Sequence, residues 1–261
     1  MNKRLYSPKY TKEIVEKYEF QFSKSLGQNF LIDGNILNNI MKMGKITKED
    51  LVLEIGPGIG TLTEELALNS KKVVAVELDN NLLPILDETL KAYDNIEIVH
   101  GDILKIDVEK LIEEKLDGRP VKVVANLPYY ITTPIIGRLL EENLNIHSII
   151  VMVQKEVAGR MVAKPEIMVR VPKTVFMPKP KVDSAVVRLV LKEELPDINK
   201  ELFFKVVKSA FGKRRKTILN SLSNGELNFE KEIVRDTLEQ LIKIETPGTI
   251  VPLPYEYEAK V

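Results

Sequence analysis

The chain has 261 residues, 44% hydrophobic and 29% charged, a composition typical of a globular protein with one large and one small domain. It contains no cysteine, which excludes disulfides, thiolate metal sites and cysteine nucleophiles. No apolar run is long enough to span a membrane, and Met1–Tyr10 lacks the apolar core of a secretory signal. We therefore expect a cytoplasmic protein without a membrane partner.

Charge is balanced overall but unevenly distributed. The formal net charge is zero, from 38 basic and 38 acidic residues. Yet Lys205–Lys216 contains six basic residues and no acidic one, and Arg170–Lys192 contains six basic residues against Asp183 alone. Local basic surface of this kind can contact phosphates while the whole chain stays neutral. Charge alone does not distinguish such a surface from an ordinary solvated helix face.

Hydrophobic periodicity predicts alternating strands and helices after an N-terminal extension of polar residues and scattered aromatics at 1–30. The alternation predicts an α/β fold, with a parallel sheet covered by helices on both faces. Residues 1–192 would form this domain and residues 193–261 a small helical C-terminal domain. Predicted strands are 51–55, 72–78, 96–99, 121–125, 149–153, 167–171 and 184–191, and predicted helices are 36–43, 61–68, 81–92, 135–140, 201–223 and 229–242.

A glycine-rich loop, Glu54–Gly60, follows the first predicted strand, and glycines allow a backbone to turn sharply and approach a ligand closely. The dinucleotide fingerprint requires glycine or alanine where this chain has Thr61, which disfavours a nicotinamide cofactor. Glu77 ends the next strand and can accept from ribose hydroxyls, and Asp102 follows the third and can accept from an adenine amine. Acceptors at three successive strand ends predict a pocket for an adenosine group without a pyrophosphate. The predicted cofactor contacts are Glu54, Gly56, Gly58, Gly60, Glu77 and Asp102.

The motif Asn126-Leu-Pro-Tyr-Tyr130 follows the fourth strand and suits methylation of an aromatic amine. The lone pair of such a nitrogen is delocalised into the ring, and acceptors for both amino hydrogens make the nitrogen more nucleophilic. The Asn126 side-chain oxygen and the Leu127 carbonyl are candidates for these acceptors. Pro128 stiffens the turn, and Tyr129 offers a face on which a flipped base can stack. Because a sulfonium provides a good leaving group, catalysis would require positioning and charge complementarity rather than a base of shifted pKa.

Together these motifs resemble the rRNA adenine dimethyltransferases, and within them the small-subunit dimethyladenosine transferases, or kasugamycin-resistance methylases. The matching segments are Gln28–Leu31, Glu54–Gly60, Glu77, Asp102, Asn126–Tyr130, Val175–Ser184, Phe211–Thr217 and Asn220–Leu222. The resemblance implies a Rossmann-like class I methyltransferase sheet with S-adenosylmethionine as cofactor. It also implies dimethylation of two adjacent adenines near the end of small-subunit rRNA.

The resemblance implies roles for individual residues as well. Gln28, Asn29, Leu31 and Asn126 would contact S-adenosylmethionine. Phe176 would stack on the target base opposite Tyr129. The residues expected to contact rRNA phosphates are Lys213, Arg214, Arg215 and Lys216.

Two parts of the chain depart from the family's pattern. Family members usually have a longer segment between the helix matching Lys155–Ala163 and the strand matching Ile167–Val171, which Lys164–Glu166 joins directly here. The tail Glu245–Val261 also differs from the usual C-terminal helices. Because the junction lies near the expected RNA side, its shortening bears on activity towards the native substrate.

Three alternatives stay open at this point. They are a large-subunit rRNA adenine methyltransferase of the antibiotic-resistance type, a non-catalytic RNA-binding ribosome assembly factor on the same fold, and a nicotinamide-dependent oxidoreductase. Leu127 and the Phe-Met-Pro-Lys-Pro loop favour the small-subunit enzyme over the first. Intact Glu77, Asp102 and Asn126 favour an enzyme over the second.

His100 and His147 lie in no motif, and we expect structural or surface roles for both. Since no cluster of Asp, Glu and His has metal-ligand spacing, we expect no metal. The expected partner is rRNA within the small ribosomal subunit, and the expected state of the protein is a monomer.

Overall fold

The computed structural model describes residues 4–23, 26–128, 130–142, 144–154, 166–190, 199, 202, 205–206, 209–210, 217–224 and 227–244. The chain divides into two compact units, Met1–Glu193 and Glu194–Val261, and each is considered by itself. No helix in the described ranges is long and apolar enough to cross a lipid bilayer. Tyr129, the junction up to residue 165, Lys213–Lys216 and the tail from Glu245 lie outside the described residues.

The first unit is built on a central sheet. Its described strands are β1 (Phe30–Leu31), β2 (Leu51–Ile55), β3 (Lys72–Glu77), β4 (Ile96–His100), β5 (Val121–Ala125), β6 (Ile146–Gln154), β7 (Glu166–Val171), β8 (Phe176–Met177) and β9 (Ser184–Val190). The central sheet has the strand order β4-β3-β2-β5-β6-β9-β7. Strands β4, β3, β2, β5 and β6 pair in parallel, whereas β9 is antiparallel to both β6 and β7. A separate antiparallel pair joins β1 to β8.

Helices cover both faces of this sheet. The described helices of this unit are α1 (Pro8–Lys17), α2 (Gly34–Met43), α3 (Thr61–Asn69), α4 (Leu83–Thr89), α5 (Val108–Lys115) and α6 (Thr132–Glu141), with 3-10 turns at Asn80–Leu82 and Lys173–Val175. Consecutive residues of a strand face opposite sides, so the two faces of β2 belong to different cores. Leu51, Leu53 and Ile55 pack in the core that contains α5 and α6, whereas Val52 packs in the core that contains α2 and α3.

The N-terminal extension contains α1, a helix that the sequence pattern did not predict. Within α1, Thr11 and Ile14 are buried, and most of its other side chains contact solvent, so few apolar residues mark this helix in the sequence. Arg4 forms ion pairs with carboxylates of α3, and the Tyr18 hydroxyl donates to Glu88 Oε2 of α4 at 2.5 Å. The extension is therefore tied to the helices that follow β2 and β3.

The second unit is described mainly through α7 (Ile218–Ser223) and α8 (Lys231–Ile244). Leu222 of α7 and Val234 of α8 are buried together with Ala210. The Thr217 side chain caps α7 by accepting from the Asn220 amide. These helices give the small C-terminal unit a core of its own.

The predicted α/β, Rossmann-like fold with helices on both faces is confirmed. One expectation needs correction: the sheet is mostly parallel rather than wholly parallel, because β9 inserts antiparallel between β6 and β7. The helix predicted at 81–92 is shorter and begins as a 3-10 turn, with Pro84 in the first turn of α4 and Leu90 at its C-terminal cap. Proline fits a first helical turn because the amide it lacks would have no helical partner there.

A buried ion pair at the start of β5 gives a test of stability. Lys122 Nζ donates to Asp50 Oδ2 at 2.8 Å and to the Lys45 carbonyl at 2.6 Å, and the Lys122 side chain is 10% exposed. Asp50→Ala should reduce the free energy of unfolding by about 3 kcal/mol, because it leaves a buried ammonium without its carboxylate. Lys122→Met, which removes the charge but keeps an apolar stem, should lose less than about 1.5 kcal/mol.

Urea denaturation of the two variants beside the wild type measures both differences. Equal losses in the two variants would contradict this account of the pair.

Candidate active site

An open cavity lies at the carboxyl ends of β2, β3, β4 and β5. Its volume is about 1040 Å³ when space open to solvent is included. The register of the sheet creates it, because Ile55 pairs with both Val76 and Ala125, so the residues that follow these strands emerge side by side. The predicted site residues that line it are Gln28, Asn29, Leu31, Gly56, Gly58, Glu77, Asp102, Asn126, Leu127, Pro128 and Phe176.

The glycine loop forms one wall with a backbone that other residues rarely adopt. Gly56 and Gly58 have φ angles of +71° and +62°, in the left-handed region that favours glycine. A Cβ added at Gly56 would find no protein atom within 4 Å, although Gly56 lines the cavity. The bare backbone therefore borders free space in which a ligand can approach it closely.

Glu77 ends β3 with its carboxylate already oriented. Its Oε1 accepts from the Asp79 amide at 2.8 Å, and its Oε2 accepts from the Gly58 amide at 3.2 Å. Burial raises the pKa of the Glu77 carboxyl, and these backbone hydrogen bonds oppose the shift. The carboxylate thus connects the strand end to the glycine loop and presents fixed acceptors to the cavity.

Asp102 follows β4 at the next position along the rim. Its Oδ1 accepts from the Leu104 amide at 3.0 Å, and Lys105 Nζ lies 3.3 Å from its Oδ2. The loop it begins is tied to α6 by Arg138, whose guanidinium donates to the carbonyls of Ile103 and Ile106. The sequence interpretation did not identify Arg138, because an arginine on a helix gives no sign of which loop it contacts.

The Asn126-Leu-Pro segment occupies the wall beside the glycine loop. Asn126 Nδ2 donates to the Asn29 carbonyl at 3.2 Å, and Leu127 is buried with 4% of its surface exposed. The Pro128 carbonyl accepts from the Ile131 amide and the Thr132 hydroxyl, both at 3.1 Å, which starts α6 directly after the motif. The motif is therefore held at both of its ends.

Phe176 is brought to the cavity by the small antiparallel sheet. It pairs with Leu31 across β1 and β8, and both side chains are buried. Tyr130 also lines the cavity, with 58% of its surface exposed. The predicted pairing of Phe176 with Tyr129 around a base involves a residue outside the described ranges and stays a prediction.

Two predicted contacts do not reach the cavity wall. Gly60, with φ +90°, caps the N-terminus of α3, and a Cβ there would lie 3.0 Å from the Leu90 side chain. Glu54 lies beneath the glycine loop with 1% of its surface exposed, and neither carboxyl oxygen makes a hydrogen bond of ordinary geometry among the described residues. Burial raises the pKa of the Glu54 carboxyl to about 8, while the nearby Thr63 hydroxyl opposes the shift and the charge of Glu77 adds to it.

Other residues at the site were missed at the sequence level. Leu78 and Ile103 line the cavity, and each directly follows a predicted acidic residue, Glu77 or Asp102. Their positions next to these acids could have been used to predict them from the sequence. Asp79, 8% exposed, accepts from the Gln28 side chain at 2.7 Å and holds the N-terminal segment near Glu77. The two histidines are exposed and are not among the lining residues.

The donors and acceptors at this cavity fit a cationic adenosine derivative. Two carboxylates lie at neighbouring strand ends, apolar side chains flank them, and bare glycine backbone borders the space between. No group of three or more acidic or histidine side chains among the described residues could hold a metal ion. The sheet order and this site together define a Rossmann-like methyltransferase.

The comparisons with known proteins agree with this class. The family described as "Ribosomal RNA adenine dimethylase" matches residues 19–170 and 166–250. The "Ribosomal RNA small subunit methyltransferase A" of Alkaliphilus oremlandii (strain OhILAs) is 52% identical over 255 residues, 90% of this chain and 89% of the relative. The protein of the same name from Clostridioides difficile (strain 630) is 50% identical over 258 residues, 91% of this chain and 89% of the relative. The chain belongs to the ribosomal RNA adenine dimethylase family, and the resemblance predicted from its motifs is confirmed.

Two solved structures share the fold. A dimethyladenosine transferase from Plasmodium falciparum has a TM-score of 0.63 and 27% identity, covering 82% of this chain and 89% of that one. The 23S rRNA methyltransferase ErmE has a TM-score of 0.59 and 28% identity, covering 80% of this chain and 88% of that one. Both are less similar in sequence to this chain than the bacterial small-subunit relatives are.

The matches also bear on the shortened junction. The family match falls into two parts that meet at residues 166–170, directly after Lys164-Pro165. The alignment with the Alkaliphilus protein is 255 positions long, but it includes only 90% of the 261 residues of this chain, which is fewer than 255 residues. Some positions of the alignment are therefore gaps in this chain. This chain therefore lacks residues that the relative has.

Removing the Glu77 carboxylate should weaken cofactor binding. Glu77→Ala deletes a charge-assisted acceptor and frees the Gly58 amide, and we expect the loss of about 1.5–3 kcal/mol of binding free energy, tenfold or more in Kd. Isothermal titration with S-adenosylmethionine measures the change. Glu109→Ala, on the exposed side of α5, serves as the matched control, and an unchanged Kd for Glu77→Ala would remove Glu77 from the site.

Glu54 should give stability a pH dependence that Glu54→Gln lacks. Below pH 4.5 the carboxyl is protonated in both folded and unfolded chains, and between 4.5 and about 8 only the folded chain keeps the proton. The free energy of unfolding of the wild type, relative to Glu54→Gln, should therefore fall as pH rises through this window, by at most about 1.4 kcal/mol per pH unit. Above the folded-state pKa the difference should level off.

Urea denaturation at a series of pH values gives this difference, with the exposed Glu49→Gln as a control for the same chemical change. A difference that does not vary with pH would show that Glu54 keeps an ordinary pKa in the folded protein.

Proposed function

We propose that this protein transfers methyl groups from S-adenosylmethionine to the exocyclic amine of adenines in small-subunit rRNA. The observation that carries the proposal is the placement of Asn126, Leu127 and Pro128 on the same cavity as Glu77 and Asp102. The sequence-based prediction of this function agrees with the names of the bacterial relatives. The family's description as a dimethylase supports the addition of two methyl groups.

The cavity accounts for binding of the cofactor by the chain's own residues. Glu77 and Asp102 supply acceptors for the ribose and the adenine amine, and Gly56 and Gly58 allow the backbone to approach the ligand. When bound, S-adenosylmethionine supplies an electrophilic methyl group on a sulfonium. A cavity bordered by carboxylates favours this positive charge.

The Asn126 segment accounts for activation of the amine. Among the described residues, no donor is bonded to Asn126 Oδ1, so this oxygen is available to accept from an amino hydrogen. The Leu127 carbonyl is the candidate second acceptor. Holding both hydrogens keeps the nitrogen lone pair out of conjugation with the ring, and orientation supplies the rest of the acceleration.

The alternatives are less well supported. The large-subunit enzyme of known structure is 28% identical, whereas the small-subunit relatives are about half identical. A non-catalytic assembly factor would not require the acceptor set that surrounds this cavity. Thr61, which replaces a fingerprint glycine, lines the cavity and argues against a dinucleotide cofactor.

The proposal also covers the RNA contacts of the protein, its oligomeric state and its location in the cell. The basic residues Lys213, Arg214, Arg215 and Lys216 remain our candidates for rRNA phosphate contacts. We propose that the protein acts as a monomer in the cytoplasm, on the ribosomal RNA that the family's description names. We also propose that residues 1–192 bind the cofactor, because the described residues that line the cavity all lie in this range. Residues 193–261, which contain the four basic residues, would contact RNA.

Removing the Asn126 side chain tests the proposed chemistry. Asn126→Ala should lower kcat for labelled methyl transfer to immature small ribosomal subunits by about 100-fold or more, because one amino hydrogen loses its acceptor. The Kd for S-adenosylmethionine should change much less. Asn145→Ala is the matched control, because Asn145 is an exposed asparagine whose amide bonds to the Gly118 carbonyl away from the site.

Turnover of Asn126→Ala close to that of the wild type would contradict the mechanism. Mapping of the labelled base in the wild-type reaction checks the substrate assignment separately.

A further inference from the structure

The amide of Asn126 is held by a residue that lies far from it in sequence. Its Nδ2 donates to the backbone carbonyl of Asn29 at 3.2 Å, and both residues line the same cavity. A side-chain amide has one donor end and one acceptor end. When a carbonyl occupies the donor end, the opposite end that remains for a substrate is an acceptor.

The Asn29 carbonyl is itself held in place by a compact turn. The Asn29 side chain donates from Nδ2 to the Gly27 carbonyl at 2.8 Å. Gly27 has φ +59°, and a Cβ there would lie 3.1 Å from Pro128 Cβ, so the turn packs directly against the catalytic motif. On its other side the turn leads into β1, whose Leu31 pairs with Phe176.

We propose that Asn29 is a positioning residue that fixes the orientation of the Asn126 amide, so that Oδ1 faces the substrate amine. This proposal rests on the proposed function. It gives Asn29 a different role from the cofactor contact implied by the family resemblance, because the side chain of Asn29 is engaged in its own turn. The residue acts through its carbonyl on Asn126, and its side chain keeps that carbonyl in place.

The same contact explains why position 126 requires an amide. A carboxylate has two acceptor oxygens and could also accept from an amine, so the reaction alone does not exclude aspartate. An ionised aspartate at this position, however, would place an oxygen against the Asn29 carbonyl oxygen with no hydrogen between them. A protonated carboxyl would regain the donor and leave one oxygen as acceptor.

The first test separates positioning from cofactor binding. Asn29→Ala and the isosteric Asn29→Asp both remove the donor to the Gly27 carbonyl. Both should lower kcat for methyl transfer to immature small subunits by about tenfold, while the Kd for S-adenosylmethionine stays within about twofold of the wild type. Asn38→Ala, an exposed asparagine on α2, is the matched control.

A Kd that weakens as much as kcat falls would overturn the proposal and make Asn29 a cofactor ligand. Unchanged kcat in both Asn29 variants would also overturn it, while leaving the proposed function intact. A wild-type protein that binds S-adenosylmethionine but methylates no rRNA would instead refute the proposed function, and this proposal with it.

The second test uses Asn126→Asp. At neutral pH its kcat should fall about as far as that of Asn126→Ala, and the ratio of its kcat to that of the wild type should rise as the pH is lowered. The neighbouring carboxylates Glu77 and Asp102 are present in both proteins, so the ratio isolates position 126. A ratio that stays flat or falls, or wild-type turnover at neutral pH, would overturn the proposal.

Discussion

The site depends on the hydrogen-bonded register of β2 between β3 and β5. Ile55 pairs with Val76 on one side and Ala125 on the other, so the glycine loop, Glu77 and Asn126 all begin at one level of the sheet. Side chains of a strand alternate between faces, and a slip of one residue would turn each of them to the wrong side. Such a slip would also expose one of the two cores that fill the faces of β2. Burial of those cores therefore fixes the positions of the glycine loop, Glu77 and Asn126 relative to one another.

The acidic residues around the cavity differ in how their charge is stabilised. Glu77 accepts hydrogen bonds from two backbone amides, which oppose the rise that burial causes in its pKa, and Asp102 accepts a hydrogen bond from one backbone amide. Glu54 has no comparable hydrogen bonds, and its pKa of about 8 keeps it protonated at neutral pH. An additional ionised carboxylate in the core would be costly without a partner. The cavity thus has the hydrogen-bonded carboxyl groups of Glu77 and Asp102 at its wall, above a buried acid that carries little charge.

The sequence allowed prediction of the elements whose signal is local. The strands at 51–55 and 121–125 occur as predicted, because parallel strands buried on both faces read as continuous apolar runs. Glu77 and Asn126 were identified because they directly follow such runs. Contacts that depend on tertiary packing gave no comparable signal: α1 buries few of its residues, and Arg138 reaches its loop across the fold. Glu54 was predicted as a cofactor contact because it begins the glycine-loop motif. The spacing of a motif does not show that the Glu54 side chain is buried in the core.

The N-terminal segment explains how the two halves of the site keep a fixed geometry. Its Arg4 pairs with carboxylates of α3, its Gln28 bonds to Asp79 near Glu77, and its Asn29 bonds to Asn126. One continuous stretch of chain therefore contacts the helix after the glycine loop, the end of β3 and the Asn126-Leu-Pro segment. In a reaction accelerated by orientation, an error of about 1 Å between donor and acceptor can cost on the order of 100-fold in rate. Neither half can shift against the other without breaking these hydrogen bonds, so under the proposed function the segment would contribute to catalysis even where it touches neither the cofactor nor the RNA.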